Sequence, residues 1–170
     1  MSEGTGDSAG EGTAEGGAAR KRGGRGPATQ RRSQSRRLAM QALYQLQLNP
    51  QPWQDVHLQF TRDDEFGAAD ADYFRELLKE SVEGREALEA VLAGVSQIPP
   101  AQLDPVERSI LLVSLYELQH KLEVPYRVVI NEGIELAKRY GATDGHKFVN
   151  GVLDRAARSL RPHEQGAPRR

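Results

Sequence analysis

The stretch Asp104-Pro105-Val106-Glu107-Arg108-Ser109-Ile110-Leu111-Leu112-Val113-Ser114-Leu115-Tyr116-Glu117-Leu118-Gln119-His120-Lys121 decides the fold. Asp104 offers a side-chain acceptor at a helix N-cap, Pro105 suits the first helical position, and Glu107 stands three residues after the cap. Each acid can satisfy an amide that the first turn leaves without a partner. From Val106 onward, Ile110, Leu111, Leu112, Val113, Leu115 and Leu118 put apolar groups on most sides of the helix. A helix of that kind is a buried one. It is expected at the centre of an all-helical protein, with other helices packed around it.

The sequence on either side supplies those helices. Pro125 opens one that carries Val129, Ile130, Ile134 and Ala137 and ends at Gly141. Asp144 is expected to cap a last helix with Phe148, Val149, Val152, Leu153, Ala156 and Leu160 on one face. Upstream, residues 70–94 read as one long helical run, built on Tyr73, Phe74, Leu77, Leu78, Val82, Leu88, Val91 and Leu92. Gly84 weakens its middle by about 1 kcal/mol relative to Ala, and Pro99-Pro100 forbids continuation. Residues 63–69 read as a loop, preceded by a short helix near Trp53–Phe60. The first helix is expected from Ser33 to about Leu48, where Leu38, Ala39, Ala42, Leu43 and Leu46 follow a 3.6-residue period. Ser33 or Ser35 can cap it, and Asn49-Pro50 stops it. No segment has the period of a half-buried strand. The prediction is an all-α domain of six or seven helices over residues 31–161.

The ends differ from this domain. Residues 1–30 hold nine of the 17 glycines and no Leu, Ile, Val or aromatic residue. Such a segment buries too little apolar surface to offset its ordering entropy, so it is expected to be a disordered tail. Residues 162–170 have a similar character and are expected to be a second tail.

The net charge of −1 over 170 residues hides a sharp division. Residues 1–19 carry four acids and no base. Residues 20–37 carry eight bases (Arg20, Lys21, Arg22, Arg25, Arg31, Arg32, Arg36 and Arg37) and no acid. The remaining residues carry 15 bases and 20 acids. Charge asymmetry of this kind points to an anionic partner. The absence of cysteine excludes a disulfide framework, a thiolate nucleophile and Cys-ligated metal sites. No stretch has the roughly 18–20 apolar residues of a membrane span, and the Gly-rich, acidic start is unlike a signal peptide. A cytoplasmic protein without a membrane partner is expected.

Catalytic and cofactor signals are weak. His57, His120, His146 and His163 are dispersed. Gly23-Gly24-Arg25-Gly26 lacks the strand and helix that a phosphate loop requires. An acidic pair such as Glu132 and Glu135 suits a solvated helix face. Neither an enzyme nor a bound cofactor or metal is expected. The basic block is more informative. Arg32 and Arg36, four apart, share a helical face flanked by Arg31 and Arg37. The planar guanidinium can donate two parallel hydrogen bonds to a phosphate. The bland alternative is a solvated helix start with a solubilising tail. Phe148, beside Lys147, has two readings as well. It could hold an unstacked base, or its spacing with Val152 could place it in the core.

Several segments occur in order and carry a resemblance. They are Arg36-Arg37-Leu38-Ala39-Met40-Gln41-Ala42-Leu43-Tyr44-Gln45, Tyr116-Glu117-Leu118, Val124-Pro125-Tyr126-Arg127-Val128-Val129-Ile130-Asn131-Glu132, Glu135-Leu136-Ala137-Lys138 and His146-Lys147-Phe148-Val149-Asn150-Gly151-Val152-Leu153-Asp154. Together, over about residues 31–161, they closely resemble the bacterial transcription antitermination family NusB. The resemblance implies an all-α fold of two helical subdomains. It implies a factor that binds boxA RNA with NusE, a small ribosomal-subunit protein, and joins other Nus factors on RNA polymerase to promote read-through in ribosomal RNA operons. It places Arg31, Arg32, Arg36, Arg37 and Gln41 on the RNA surface, completed by Asp144, His146, Lys147 and Phe148. Tyr44 and Glu107 match positions facing NusE or the RNA edge. Leu112 and Gly145 stand where relatives often have Arg and Ser.

Two other function classes compete. One is a helical protein-binding scaffold without specific RNA recognition. The other is an RNA cytosine methyltransferase, where a NusB-like domain also occurs. Such an enzyme needs a further α/β domain with catalytic cysteines, and the sequence has no cysteine. The four acids of residues 1–19 are expected to shield the arginines from non-specific RNA.

Overall fold

The structure, a computed structural model, describes residues 26–166. Among the described residues there are seven α-helices, three short 3-10 turns and no strand. The helices are α1 (Pro27–Leu48), α2 (Trp53–Thr61), α3 (Ala71–Glu83), α4 (Arg85–Val95), α5 (Pro105–His120), α6 (Tyr126–Tyr140) and α7 (Gly145–Leu160).

The helix expected at the centre is there. The Asp104 carboxylate accepts hydrogen bonds from the amides of Val106 and Glu107 and fixes the start of α5. Ile110, Leu111, Leu112, Val113, Leu115 and Leu118 are all buried. Removing each such side chain from water contributes about 1.5–3 kcal/mol, so α5 accounts for a large part of the stability. On one side α1, α2 and α3 pack together; on the other, α4, α6 and α7. α5 touches α1 and α3 as well as α4, α6 and α7. One continuous core joins the two halves.

Four local readings change. The run over 70–94 is two helices, because the chain breaks at Gly84. A Cβ there would sit 2.8 Å from the Glu80 carbonyl oxygen, so the bend between α3 and α4 needs a glycine. Residues 63–69 are more ordered than a loop: Asp64–Ala68 form a 3-10 turn whose start is capped by Asp63, accepting from the Glu65 amide. α1 begins at Pro27, six residues before Ser33, with the proline in its first turn. Neither serine caps it. Ser33 donates to Glu132, and Ser35 donates to the carbonyls of Arg31 and Asp70.

The expected tails over 1–30 and 162–170 are shorter at their inner edges. Residues 27–30 belong to α1, and Pro162–Glu164 form a 3-10 turn. Glu164 accepts from the Tyr126 amide and from Arg161, which ties this turn to the start of α6. Residues 1–25 and 167–170, with the acidic segment and Arg20, Lys21, Arg22 and Arg25, lie outside the described residues.

Candidate nucleic-acid interface

The basic block does not act as one surface. α1 packs along α3 and α5, so a residue's position around α1 determines its surroundings. Arg36 turns inward. Its Nε and Nη2 donate to the two carboxylate oxygens of Glu117 at 2.7 and 2.9 Å, and Glu132 lies 4.0 Å from Nη1. Tyr73 donates to the same Glu117 carboxylate at 2.6 Å. Arg36 and Glu117 are 3% and 1% exposed. Burial opposes the charge on Arg36, but the Glu117 hydrogen bonds and carboxylate outweigh it and raise the guanidinium above its ordinary value. Arg36 is therefore a buried tie between α1 and α5, and it presents no exposed donor to an anion, contrary to the expected placement beside Arg32.

Its neighbours are less enclosed, Arg31 most exposed, Arg32 less so and Arg37 least, with 12% of its side chain exposed. Arg31 is exposed and donates to the Ala69 carbonyl at 3.2 Å. Arg32 is half-buried, with its guanidinium 4.3 Å from the Tyr73 ring centroid and 4.0 Å from Glu123. Arg37 donates to Gln34 and Glu65, each at 3.1 Å. Burial works against its charge, yet hydrogen bonds with Tyr140 and Glu65 raise its pKa. Gln41, one turn further, is half-buried, and Tyr44 is exposed on a face shared with exposed Leu48.

The second half of the candidate surface begins at α7. Asp144 holds a left-handed backbone, φ 64°, and makes no side-chain cap, contrary to the expected capping role. It pairs instead with Lys147 at 3.3 Å, and both side chains are largely exposed. His146 is half-buried. Phe148 meets both of its readings in part. It packs against the core, yet it also lines a groove of about 270 Å³ with Gln97, Ile98, Lys147, Gly151 and Arg155. Arg155 donates to the Val95 carbonyl at 2.8 Å and lies on this groove, a placement that no local sequence pattern indicates.

Glu107 is not placed for a partner. It is 8% exposed, and a Cβ on Gly145 would overlap its Oε1. Burial pushes its pKa up, Asp104 adds to this, and the Ala142 amide acts the other way. Glu107 therefore packs the α6–α7 loop onto the start of α5, and Gly145 is the residue small enough to meet it. The cap of α5 is made by Asp104 alone, and Glu107 serves this packing instead of the first turn.

Arg31, Arg32 and Arg37 stand on α1, and Lys147 and Phe148 on the start of α7. The structure gives no contact between the two sets. Between them in the chain comes the last turn of α6. There Arg139 lines two grooves together with Gln34 and Arg37, of about 430 and 330 Å³. Sequence reasoning missed Arg139. A cation in the last turn of a helix is explained by the dipole alone, and the groove exists only once α1 and α6 meet. No helix among the described residues is long and apolar enough to cross a membrane. Nor does any group of three His, Asp or Glu side chains among them converge as a metal site.

Seven helices, with α5 buried among the others and arginines along α1, define an all-helical protein. Comparison with known proteins makes this specific. Residues 33–158 match the NusB family profile. The transcription antitermination protein NusB of Pseudomonas savastanoi pv. phaseolicola is 46% identical over 140 residues, covering 82% of this chain and 85% of that protein. Its counterpart from Hydrogenovibrio crunogenus is 45% identical, over 79% and 83%. Among solved structures, T. maritima NusB superposes with a TM-score of 0.69 at 28% identity, over 78% of this chain and 94% of that one. The antitermination factors NusB and NusE in complex with double-stranded RNA give a TM-score of 0.61 at 24% identity, over 75% and 96%; that likeness is one of fold. The chain belongs to the NusB family.

Proposed function

We propose that this chain is a non-catalytic transcription antitermination factor. It binds boxA-type single-stranded RNA together with NusE and joins other Nus factors on RNA polymerase, promoting read-through in ribosomal RNA operons. Membership of the NusB family supports the class of function. One observation carries the RNA step: Arg31 and Arg32 keep their guanidinium groups at or near the surface of α1 and Arg37 lines the grooves beside it, while the arginine needed for packing is turned inward. Arginine contacts to phosphate position the strand, and neighbouring side chains read its bases. Gln41, His146, Lys147 and Phe148 are the proposed readers and Asp144 orients Lys147. Tyr44, exposed beside Leu48, is the proposed protein-facing residue toward NusE. A partner that contacts both protein and RNA makes the pair bind better than either alone.

The test is transcription in vitro with RNA polymerase and the remaining Nus factors across a terminator. Adding the protein is expected to raise read-through on a template that encodes boxA and to leave a scrambled template unchanged. Equal read-through on both would overturn the reading. If NusE still bound while no RNA did, the chain would be a protein-binding scaffold instead.

A further inference from the structure

We infer that Arg139, on the last turn of α6, binds an RNA backbone phosphate and carries the strand from Arg37 on α1 toward the start of α7. The inference rests on the RNA-binding function proposed above. Arg37 and Arg139 come from different helices, yet both line the same two neighbouring grooves. The carboxylates in those grooves are already engaged: Glu65 with Arg37 at 3.1 Å, Glu135 with Lys138 at 3.7 Å, and Glu132 with Ser33 at 2.9 Å. Arg139 is different. Among the described residues no carboxylate lies within 4.0 Å of it. Its guanidinium lies 5.0 Å from the centroid of the Tyr140 ring. Contact with a ring face uses none of the five N–H donors in the way a carboxylate would.

The helix dipole explains a positive charge at this position. Lys138, the residue before it, already supplies one. The dipole does not explain why the second cation lines a groove beside Arg37. Chain geometry does: α6 ends at Tyr140, and the Asp144–Phe148 segment begins five residues after Arg139. A phosphate seated between Arg37 and Arg139 connects the two halves of the interface, which otherwise make no contact. The ligand is the sugar–phosphate backbone of a single strand, held without base preference.

The experiment is a titration of the full-length protein with a boxA-like single-stranded RNA at several salt concentrations, comparing the parent with Arg139→Gln and Arg139→Lys. Loss of one phosphate contact is expected to lower the magnitude of the slope of log K against log salt by about 0.7. Affinity at 0.1 M salt is expected to fall at least about threefold for Arg139→Gln. Arg139→Lys is expected to keep the parental slope, and thermal unfolding of both variants should match the parent. If the parent binds and Arg139→Gln has the same affinity and slope, this inference fails and the proposed function stands. If the parent binds no RNA, both fail.

Discussion

Glu117 accepts two hydrogen bonds from Arg36 and one from Tyr73 at a place that water does not reach. Removing one partner of such a pair strands a charge, which costs about 3–5 kcal/mol. Arg36→Ala is therefore expected to lower the unfolding free energy by about that amount in urea denaturation. The folded fraction should bind RNA with an unchanged salt slope. Arg32→Gln is expected to do the reverse, with stability within about 1 kcal/mol of the parent and a slope smaller in magnitude by about 0.7. A flattened slope for Arg36→Ala would return that residue to the RNA surface. The sequence made Arg32 and Arg36 look alike because four-residue spacing puts both on one face. What distinguishes them is Glu117, 81 residues away, and no local pattern reveals such a partner. Glu107 was hidden for the same reason, since Ala142 and Gly145 meet it only after α6 and α7 have packed.

At the scale of elements, helix boundaries were most legible where the signal was covalent or local. Asp104-Pro105 and Gly141 punctuate α5 and α6 as their chemistry requires. The long run over 70–94 kept its apolar period across Gly84, so periodicity alone did not show the bend there, where a side chain would crowd the Glu80 carbonyl. The C-terminal end of α5 is the least legible of all, because its cap comes from the end of the chain. Arg161, 4% exposed, donates to the carbonyls of Leu118, Val124, Glu117 and Lys121 at 2.7, 2.9, 3.1 and 2.9 Å. Arg161→Ala leaves the Leu118 and Val124 carbonyls without a donor, while those of Glu117 and Lys121 keep a backbone amide, and it is expected to cost about 3 kcal/mol in denaturant unfolding. Arg161→Lys should recover little of it, since an ammonium lacks the planar fork. If Arg161→Ala unfolds like the parent, the cap is dispensable.

Over the whole molecule, the fold was legible because α5 is apolar on most sides and its neighbours on fewer. An all-α arrangement followed from that difference. The interface was legible as a charge distribution and less so as a list of residues. Eight bases in residues 20–37 pointed to an anionic partner, while tertiary packing withdrew Arg36 and brought Arg139 beside Arg37. The four acids of residues 1–19 bear on specificity through charge alone. Deleting residues 1–19 is expected to raise affinity for a scrambled RNA at low salt; unchanged affinity would exclude a shielding role. The most direct measurement is the affinity for boxA-like and scrambled single strands, with and without NusE, at two salt concentrations. The account predicts that boxA is preferred, that NusE strengthens it, and that about four phosphate contacts give a slope near −3. Equal binding of both strands, unmoved by NusE, would contradict it.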